Sequence, residues 1–270
     1  MINVNTGLCD NCGICAAVCP LGVLSITAGA LVAPEDRKAR CVSCGHCEAV
    51  CPRGAINITG QLLADAPHLQ STRGVSAEMI RDYFLSRRSI RKYKPEAVSK
   101  EALENVLDIV RYAPSAVNAQ PVKWVVLYDA AKLNEITKAV VAWMESAVSA
   151  KHPLAEPLNF RGLIIGWKKG LDPITRHAPH VIVACGLKDD RRAPADATIA
   201  LTHLELLAPA FGLGACWAGY FQIAASQSAE VRRAIGITED QIPLGSMLIG
   251  YPKYKYQRVP KRNKLSAIWR

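Results

Sequence analysis

The sequence predicts an α+β chain in two parts, a small cysteine-rich head and a larger body of helices around a central sheet. Three observations carry that prediction. Eight of the ten cysteines fall in two tight clusters before residue 52. From Ser76 onward the pattern turns to alternating helical and strand-like segments. The charge is unevenly placed: residues 1–60 hold four basic and four acidic side chains, so the whole net +10 sits in residues 61–270. We place the head at 1–62, a linker at 63–75 and the body at 76–270.

The head is a duplicated unit. "CDNCGICAAVCPLGVLSI" (9–26) lies over "CVSCGHCEAVCPRGAINI" (41–58) at an offset of 32, giving two copies of C-x2-C-x2-C-x3-C-P. An iron–sulfur cubane needs four thiolates facing inward from a small volume. Three cysteines at this spacing wrap a tight loop around one face, and the fourth leaves on a short helical turn. In the bacterial two-cluster pattern that fourth cysteine ligates the other cluster. Cys9, Cys12, Cys15 and Cys51 are therefore expected to hold one [4Fe–4S] cluster, and Cys41, Cys44, Cys47 and Cys19 a second. Gly13 and Gly45 permit close backbone approach, and Pro20 and Pro52 end the turns. Zinc also favours paired cysteines, but usually as C-x2-C pairs with a spacer between them. His46 falls between two ligands of a set already complete, which suits an exposed residue or a modest tuner. Over roughly residues 5–60 the head resembles bacterial two-[4Fe–4S] ferredoxins.

In the body, "SAEMIRDYFLSR" reads as a helix. "SKEALENVLDIVRYA" has Ser99 as N-cap, with Leu103, Val106, Leu107 and Val110 on one face. "KWVVLYD" (123–129) reads as a strand, "AKLNEITKAVVAWMESAVS" (131–149) as a helix and "HVIVACG" (180–186) as an apolar strand. "DATIALTHLELLAPAFG" (196–212) is apolar almost all round and predicts a helix buried on most sides. "ACWAGYF" reads as a strand, "SAEVRRAIG" as a helix that Gly236 stops, and "GSMLIGY" (245–251) as a strand. "GLGACWAG" is not a dinucleotide fingerprint, because Trp217 stands where a third glycine is needed and the order runs from helix into strand.

The opening "MINVNTGLCD" lacks the basic and apolar regions of a secretory signal. No apolar run approaches the roughly 18 residues of a membrane span, so a soluble protein in a reducing cytoplasm is expected. Basic residues concentrate at 81–94 and at 251–264, with six in each. Neither segment shows a nucleic-acid module. The bland reading is a solvated basic face; a bound anionic cofactor would account for the same clusters.

Three stretches carry a resemblance. "RRSIRKY" (87–93), "APSAVNAQP" (113–121) and "GYPKYKYQRVPKRNKL" (250–265) are similar to motifs of the nitroreductase family of FMN enzymes, in order and in separation. With its head, the chain resembles fused ferredoxin–nitroreductase proteins. The resemblance implies helices around a central sheet and an interlocked homodimer with two flavins at the interface. It implies that Arg87, Arg88, Ser89 and Arg91 contact flavin phosphate and ring, and that Arg262 with Lys261 closes on the phosphate. It implies that Pro114, Ser115, Asn118 and Gln120 reach the second subunit's flavin, and that Trp217, Ala218 and Gly219 pass the flavin N5 edge. Arginine forks suit phosphate because they bind it bidentately; for each one singly the alternative is an ordinary surface ion pair. Ala218 stands where many relatives carry an acid. Region 150–178 should form much of the substrate wall, with Trp167, Lys168 and Arg176 as lining candidates. Cys185 and Cys216 read as buried small hydrophobes. No catalytic acid or base is nominated.

The leading expectation is an FMN-dependent oxidoreductase whose head relays electrons to FMN, for reduction of nitro compounds, quinones or similar conjugated acceptors. The donor would be a ferredoxin-type protein or NAD(P)H. The alternative is an electron-transfer module between a ferredoxin-type partner and NAD(P)H, with no dedicated organic substrate.

Overall fold

A computed structural model describes residues 2–58 and 74–270. Most of the expected linker at 63–75 lies outside the described residues. The chain divides into two compact units, one of Met1–Gly74 with Val117–Ala119, the other of Val75–Ala116 with Gln120–Arg270.

In the first unit the sequence repeat becomes a repeat of backbone. Strand β1 (Ile2–Val4) leads into the first cysteine loop and the short helix α1 (Ile14–Ala17), and β2 (Ser25–Thr27) follows. Strand β3 (Ala30–Val32), the short helix α2 (Glu35–Lys38), the helix α3 (His46–Ala49) and β4 (Ile56–Ile58) form the second half. The halves exchange strands: β1 pairs antiparallel with β4, and β2 with β3. Ala28 and Gly29, at φ +50° and +78°, make the two-residue turn between β2 and β3, the left-handed pair that hairpin twist favours. A small core of Ile2, Val23, Leu24, Leu31, Ile56 and Ile58 lies beside Cys15 and Cys47.

The second unit is built on one antiparallel sheet. Helix α4 (Ala77–Ser86) is capped by Ser76, and α5 (Lys100–Val110) by Ser99, which accepts from Ala102 N. Strand β5 (Lys123–Leu127), helix α6 (Ala130–Ser149), helix α7 (Phe160–Lys168) and strand β6 (His180–Leu187) follow. Helix α8 (Ala193–Leu207) runs on through a 3-10 turn to Phe211. Strand β7 (Gly214–Trp217), helices α9 (Gly219–Gln227) and α10 (Ala229–Ile235) and strand β8 (Gln241–Gly250) complete the unit. The sheet order is β5-β6-β8-β7. β6 is buried along all but its last residue, as its apolar run requires. One face packs against α6, α7, α9 and α10 around Ile136, Met144, Phe160 and Phe221; the other packs against α5 and α8 around Val106, Leu201 and Leu204. The "ACWAGYF" reading is corrected in part: the strand stops at Trp217 and Gly219–Phe221 open a helix. Among the described residues no helix is long and apolar enough to cross a membrane.

The basic stretch after α4 is held on the β7 side of the sheet. Ile90 N donates to Ala215 O at 2.9 Å, Lys94 N to Tyr251 O at 2.8 Å and Lys253 N to Lys92 O at 3.0 Å. Gly214 makes the approach possible, since a Cβ there would meet Ile90 Cγ1 at 2.4 Å and Pro252 Cγ at 2.9 Å. Gly214→Ala should destabilise the body by about 1–3 kcal/mol through overpacking. Calorimetry should then show the melting temperature lowered by several degrees, at roughly 2–4 °C per kcal/mol. An unchanged melting temperature would mean that the 87–94 segment is not clamped to β7.

Candidate functional site

The first unit brings cysteines together across the repeat. One hollow is lined by Cys41, Cys44 and Cys47 of the second copy and by Cys19 of the first, with Ile2, Val23, Leu24 and Ile58 as apolar wall. On the other side, Cys12 and Cys51 are close enough for their charges to act on the Cys15 thiol. The strand exchange explains the crossing: each fourth cysteine directly follows its short helix and precedes a strand that pairs with the other half.

The loops are matched in conformation. Asn11 and Ser43 lie at φ +57° and +49°, and Gly13 and Gly45 at +77° and +75°. The glycines thus serve left-handed turns; a Cβ on Gly13 would meet nothing nearer than 3.5 Å. Backbone amides point at the fourth sulfurs, Val23 N to Cys19 Sγ at 3.4 Å and Ala55 N to Cys51 Sγ at 3.3 Å. Burial pushes the Cys19 thiol up, but backbone donors at Val23, Leu21, Leu24 and Gly22 together outweigh it, so the group lies below its ordinary value. Burial raises Cys15, and pushes Cys47 up to about 11. His46 is exposed.

These sulfurs do not suit a single ion. Zinc would need its donors drawn to about 2.0–2.3 Å of one point, and among the described residues no three Cys, His, Asp or Glu side chains converge that way. A cubane spreads its thiolates over four irons, so sulfurs set apart around an apolar hollow fit it better. The hollow at the second copy offers four cysteines, with the Val23 amide directed at the Cys19 sulfur.

In the second unit the 87–94 segment carries both core and charged side chains. Ile90 packs on the core. Arg87 Nη1 reaches Glu205 Oε1 at 2.8 Å, and Ser89 lies beside the Cys216 thiol. Burial raises Cys216, and the charges of Arg91, Arg176 and Glu205 all reach it. Arg88 bonds to its neighbour's carbonyl and to Arg258 O at 3.4 Å. Glu205 was not singled out from the sequence. It is 8% exposed on α8, and its ion-pair partner lies 118 residues away.

Arg176 is presented by a turn built around Asp172. The Asp172 carboxylate accepts from Ile174 N at 3.0 Å, Thr175 N at 2.8 Å, His177 N at 2.9 Å and the Thr175 hydroxyl. Arg176 and His177 take left-handed conformations at φ +57° and +55°. Lys168 instead points to the surface, paired with Glu145 at 2.6 Å. Trp167 lines a hollow of about 590 Å³ with Tyr93, Tyr128, His177 and His180. His180 is neutral there: burial lowers its pKa, Nε2 accepts from Val98 N at 3.0 Å, and Nδ1 donates to Tyr128 O at 3.0 Å. It is thus a satisfied core histidine rather than a proton donor.

At the end of β7, Trp217 is 40% exposed and Ala218 is buried. Ala218 N donates to Ser246 O at 2.8 Å, so the backbone donors left at this edge belong to α9, whose first turn no side chain caps. The loop after α5 is strained: Val117, Asn118 and Gln120 lie at φ +50°, +54° and +47°. A β-branched residue at positive φ is a genuine outlier, and such strain gathers at functional sites. Buried Asp196 helps to hold this loop, accepting from Ala116 N at 3.0 Å, while Ser115 Oγ accepts from Gln120 N at 3.0 Å. Pro114, Ser115 and Gln120 line a hollow with Asp196. Asn118 falls in the first unit, where its Nδ2 donates to Val42 O at 3.3 Å and Ser43 O at 3.1 Å. Lys261 and Arg262 lie on the exposed terminal segment, outside any helix or strand. Cys185 is buried, as expected.

A cysteine-lined head and a sheet edge crowded with arginines define a redox protein that handles an anionic group. Comparison with known proteins makes this specific. Residues 85–251 match the nitroreductase family and residues 8–56 match the 4Fe-4S dicluster domain. The chain therefore belongs to the nitroreductase family of oxidoreductases, with a 4Fe-4S dicluster domain before the family's own domain. It is 25% identical over 200 residues to a Methanothermobacter thermautotrophicus protein, by name a candidate NADH dehydrogenase/NAD(P)H nitroreductase, covering 71% of this chain and 89% of that one. It is 26% identical to the FMN reductase [NAD(P)H] of Bacillus subtilis, over 64% of this chain and 66% of that one. The fold is shared with a nitroreductase with bound FMN from Bacteroides fragilis, at a TM-score of 0.57 and 20% identity, covering 70% of this chain and 96% of that one.

The crossed sulfurs generate a test. Cys19→Ser should chiefly damage the cluster held by Cys41, Cys44 and Cys47, read as selective loss of one signal in cluster-resolved paramagnetic resonance. Selective loss of the cluster beside Cys9 would refute the crossing.

Proposed function

We propose that this chain is a homodimeric FMN-dependent oxidoreductase whose head holds two [4Fe–4S] clusters and relays electrons to FMN. The acceptors would be nitro compounds, quinones or similar conjugated molecules. The observation that carries the reading is the joining, in one chain, of the nitroreductase domain and the dicluster head. The names of the relatives in Methanothermobacter and Bacillus give NAD(P)H as their reductant. A domain fed by a nicotinamide alone needs no iron–sulfur head, so the head argues for a further supply, such as a reduced ferredoxin-type protein. Thiolate-held clusters also suit a reducing cytoplasm.

FMN, when bound, supplies electron exchange in ones or in pairs, which suits a one-electron donor facing a two-electron acceptor; the protein supplies binding, orientation and electrostatics. The charges of Arg91 and Arg176 reach Cys216, as does that of Glu205, the partner of Arg87, and these arginines offer the forks that a phosphate dianion needs. Arg88 follows Arg87 in the chain. Uncapped amides from Gly219 onward would stabilise negative charge on a reduced ring. The methyl of Ala218 takes no part in proton transfer, and solvent supplies the protons.

A second copy of the chain completes the site. Helix α4 has no buried residue, although Met79, Ile80, Phe84 and Leu85 are apolar. The terminal segment carries Leu265, Ile268 and Trp269 at more than 80% exposure. These surfaces suit an interlocked dimer, in which Pro114, Ser115, Asn118 and Gln120 face the partner's flavin and Lys261 and Arg262 close on phosphate.

The test is anaerobic and uses the full chain. Bound flavin is reduced by a low-potential ferredoxin, and separately by NADH or NADPH, in wild type and in Cys44→Ser. Ferredoxin-driven reduction should fall to background in the variant while flavin stays bound. If the variant is reduced by ferredoxin as fast as wild type, the head is not the entry port.

A further inference from the structure

We infer that Glu205 is a positioning residue that presets Arg87 for a flavin phosphate; this rests on the FMN reading of the site. Glu205 is a carboxylate on a face of α8 otherwise given to packing: Leu201, Leu204 and Ala208 along the same stretch are fully buried. Two effects disfavour a charge there. Burial removes its hydration, and its place near the C-terminal end of α8 sets it against the negative end of the helix dipole. The ion pair with Arg87 offsets both. A packing role alone would be met better by an apolar side chain of similar volume.

The geometry gives the pair a direction. Glu205 Oε1 takes Nη1 of Arg87 at 2.8 Å, while the Arg87 side chain keeps 30% of its surface against 10% for Glu205. A guanidinium is a rigid planar fork with five donors. Holding Nη1 from the buried side restrains the fork and leaves its other N–H groups for a ligand. The charge of Glu205 reaches the Cys216 thiol, as do those of Arg91 and Arg176. Arg87, Arg91 and Arg176 bring three positive charges against the one negative charge of Glu205. The surplus attracts a dianion even with Glu205 ionised. Glu205 thus spends part of Arg87's charge to hold its orientation.

The test compares FMN with riboflavin, which differs only by the phosphate. Flavin-free full-length protein is titrated with each, and binding is read by quenching of flavin fluorescence. The quantity of interest is the ratio of the two dissociation constants. Glu205→Ala should lower the preference for FMN about ten- to hundredfold, the worth of a charge-assisted bond, and leave riboflavin binding near wild type. Glu205→Gln keeps an acceptor at Oε1 and should retain most of the preference. In an Arg87→Ala background, Glu205→Ala should change the ratio no further. Equal losses for both flavins would make Glu205 merely structural and overturn the inference. So would tighter FMN binding in both variants, which marks a repelling charge, or a changed ratio in the Arg87→Ala background. A wild-type preference for FMN that Glu205→Ala leaves intact sinks this inference alone. A wild type that binds both flavins equally sinks the phosphate reading of Arg87, and this inference with it.

Discussion

The body depends on one backbone contact, the hydrogen bond from Ile90 N–H to the Ala215 carbonyl. It sets the register of the arginine-rich segment against β7. Ile90 packs on the core, Arg87 pairs with Glu205, and the charge of Arg91 reaches Cys216. The contact needs a strand without a side chain at 214, and Gly214 provides it. The approach of the arginine-bearing segment to β7 thus depends on one missing Cβ.

The head solves a different problem with the same economy. Four thiols must be held near one another before iron arrives, although their negative forms repel. Left-handed residues at Asn11, Gly13, Ser43 and Gly45 turn each loop inward, and amides of Val23 and Ala55 meet the sulfurs of Cys19 and Cys51. Exchange of strands between the halves carries each fourth cysteine across. Neither two-stranded sheet takes both its strands from one half, so the two sites are built jointly and not one after the other.

Much of this was legible because the signal was local. Cysteine spacing, the offset of 32, the capping serine at 99 and the apolar run of β6 each act over a few residues. What escaped was decided by tertiary structure. Helix α7 contains Gly162 and Gly166, both poor helix residues, yet forms because Phe160 and Ile164 are buried and Asn159 caps its start. Helix α9 opens on glycine with no capping side chain, directly after a strand, so its first residues look like more strand. Glu205 hid in a helix apolar almost all round, and its partner is 118 residues away. A charged residue alone on such a face was the available clue.

The two buried acids of α8 separate structural from functional explanation. Asp196 lies in the first turn, where the helix dipole favours a carboxylate, and it accepts from Ala116 N. Its second oxygen is buried without a hydrogen-bond partner among the described residues. Even so, loop and helix geometry account for an acid at this place. Glu205, near the other end, has both the dipole and burial against it, and only a distant arginine in its favour. That arginine belongs to the motif on which the family resemblance rests. One helix therefore steadies both segments that the resemblance assigns to the flavin: the 114–120 loop through Asp196 and the 87–91 segment through Glu205. The segments lie far apart in sequence, and α8 is the element that ties each of them to the same core.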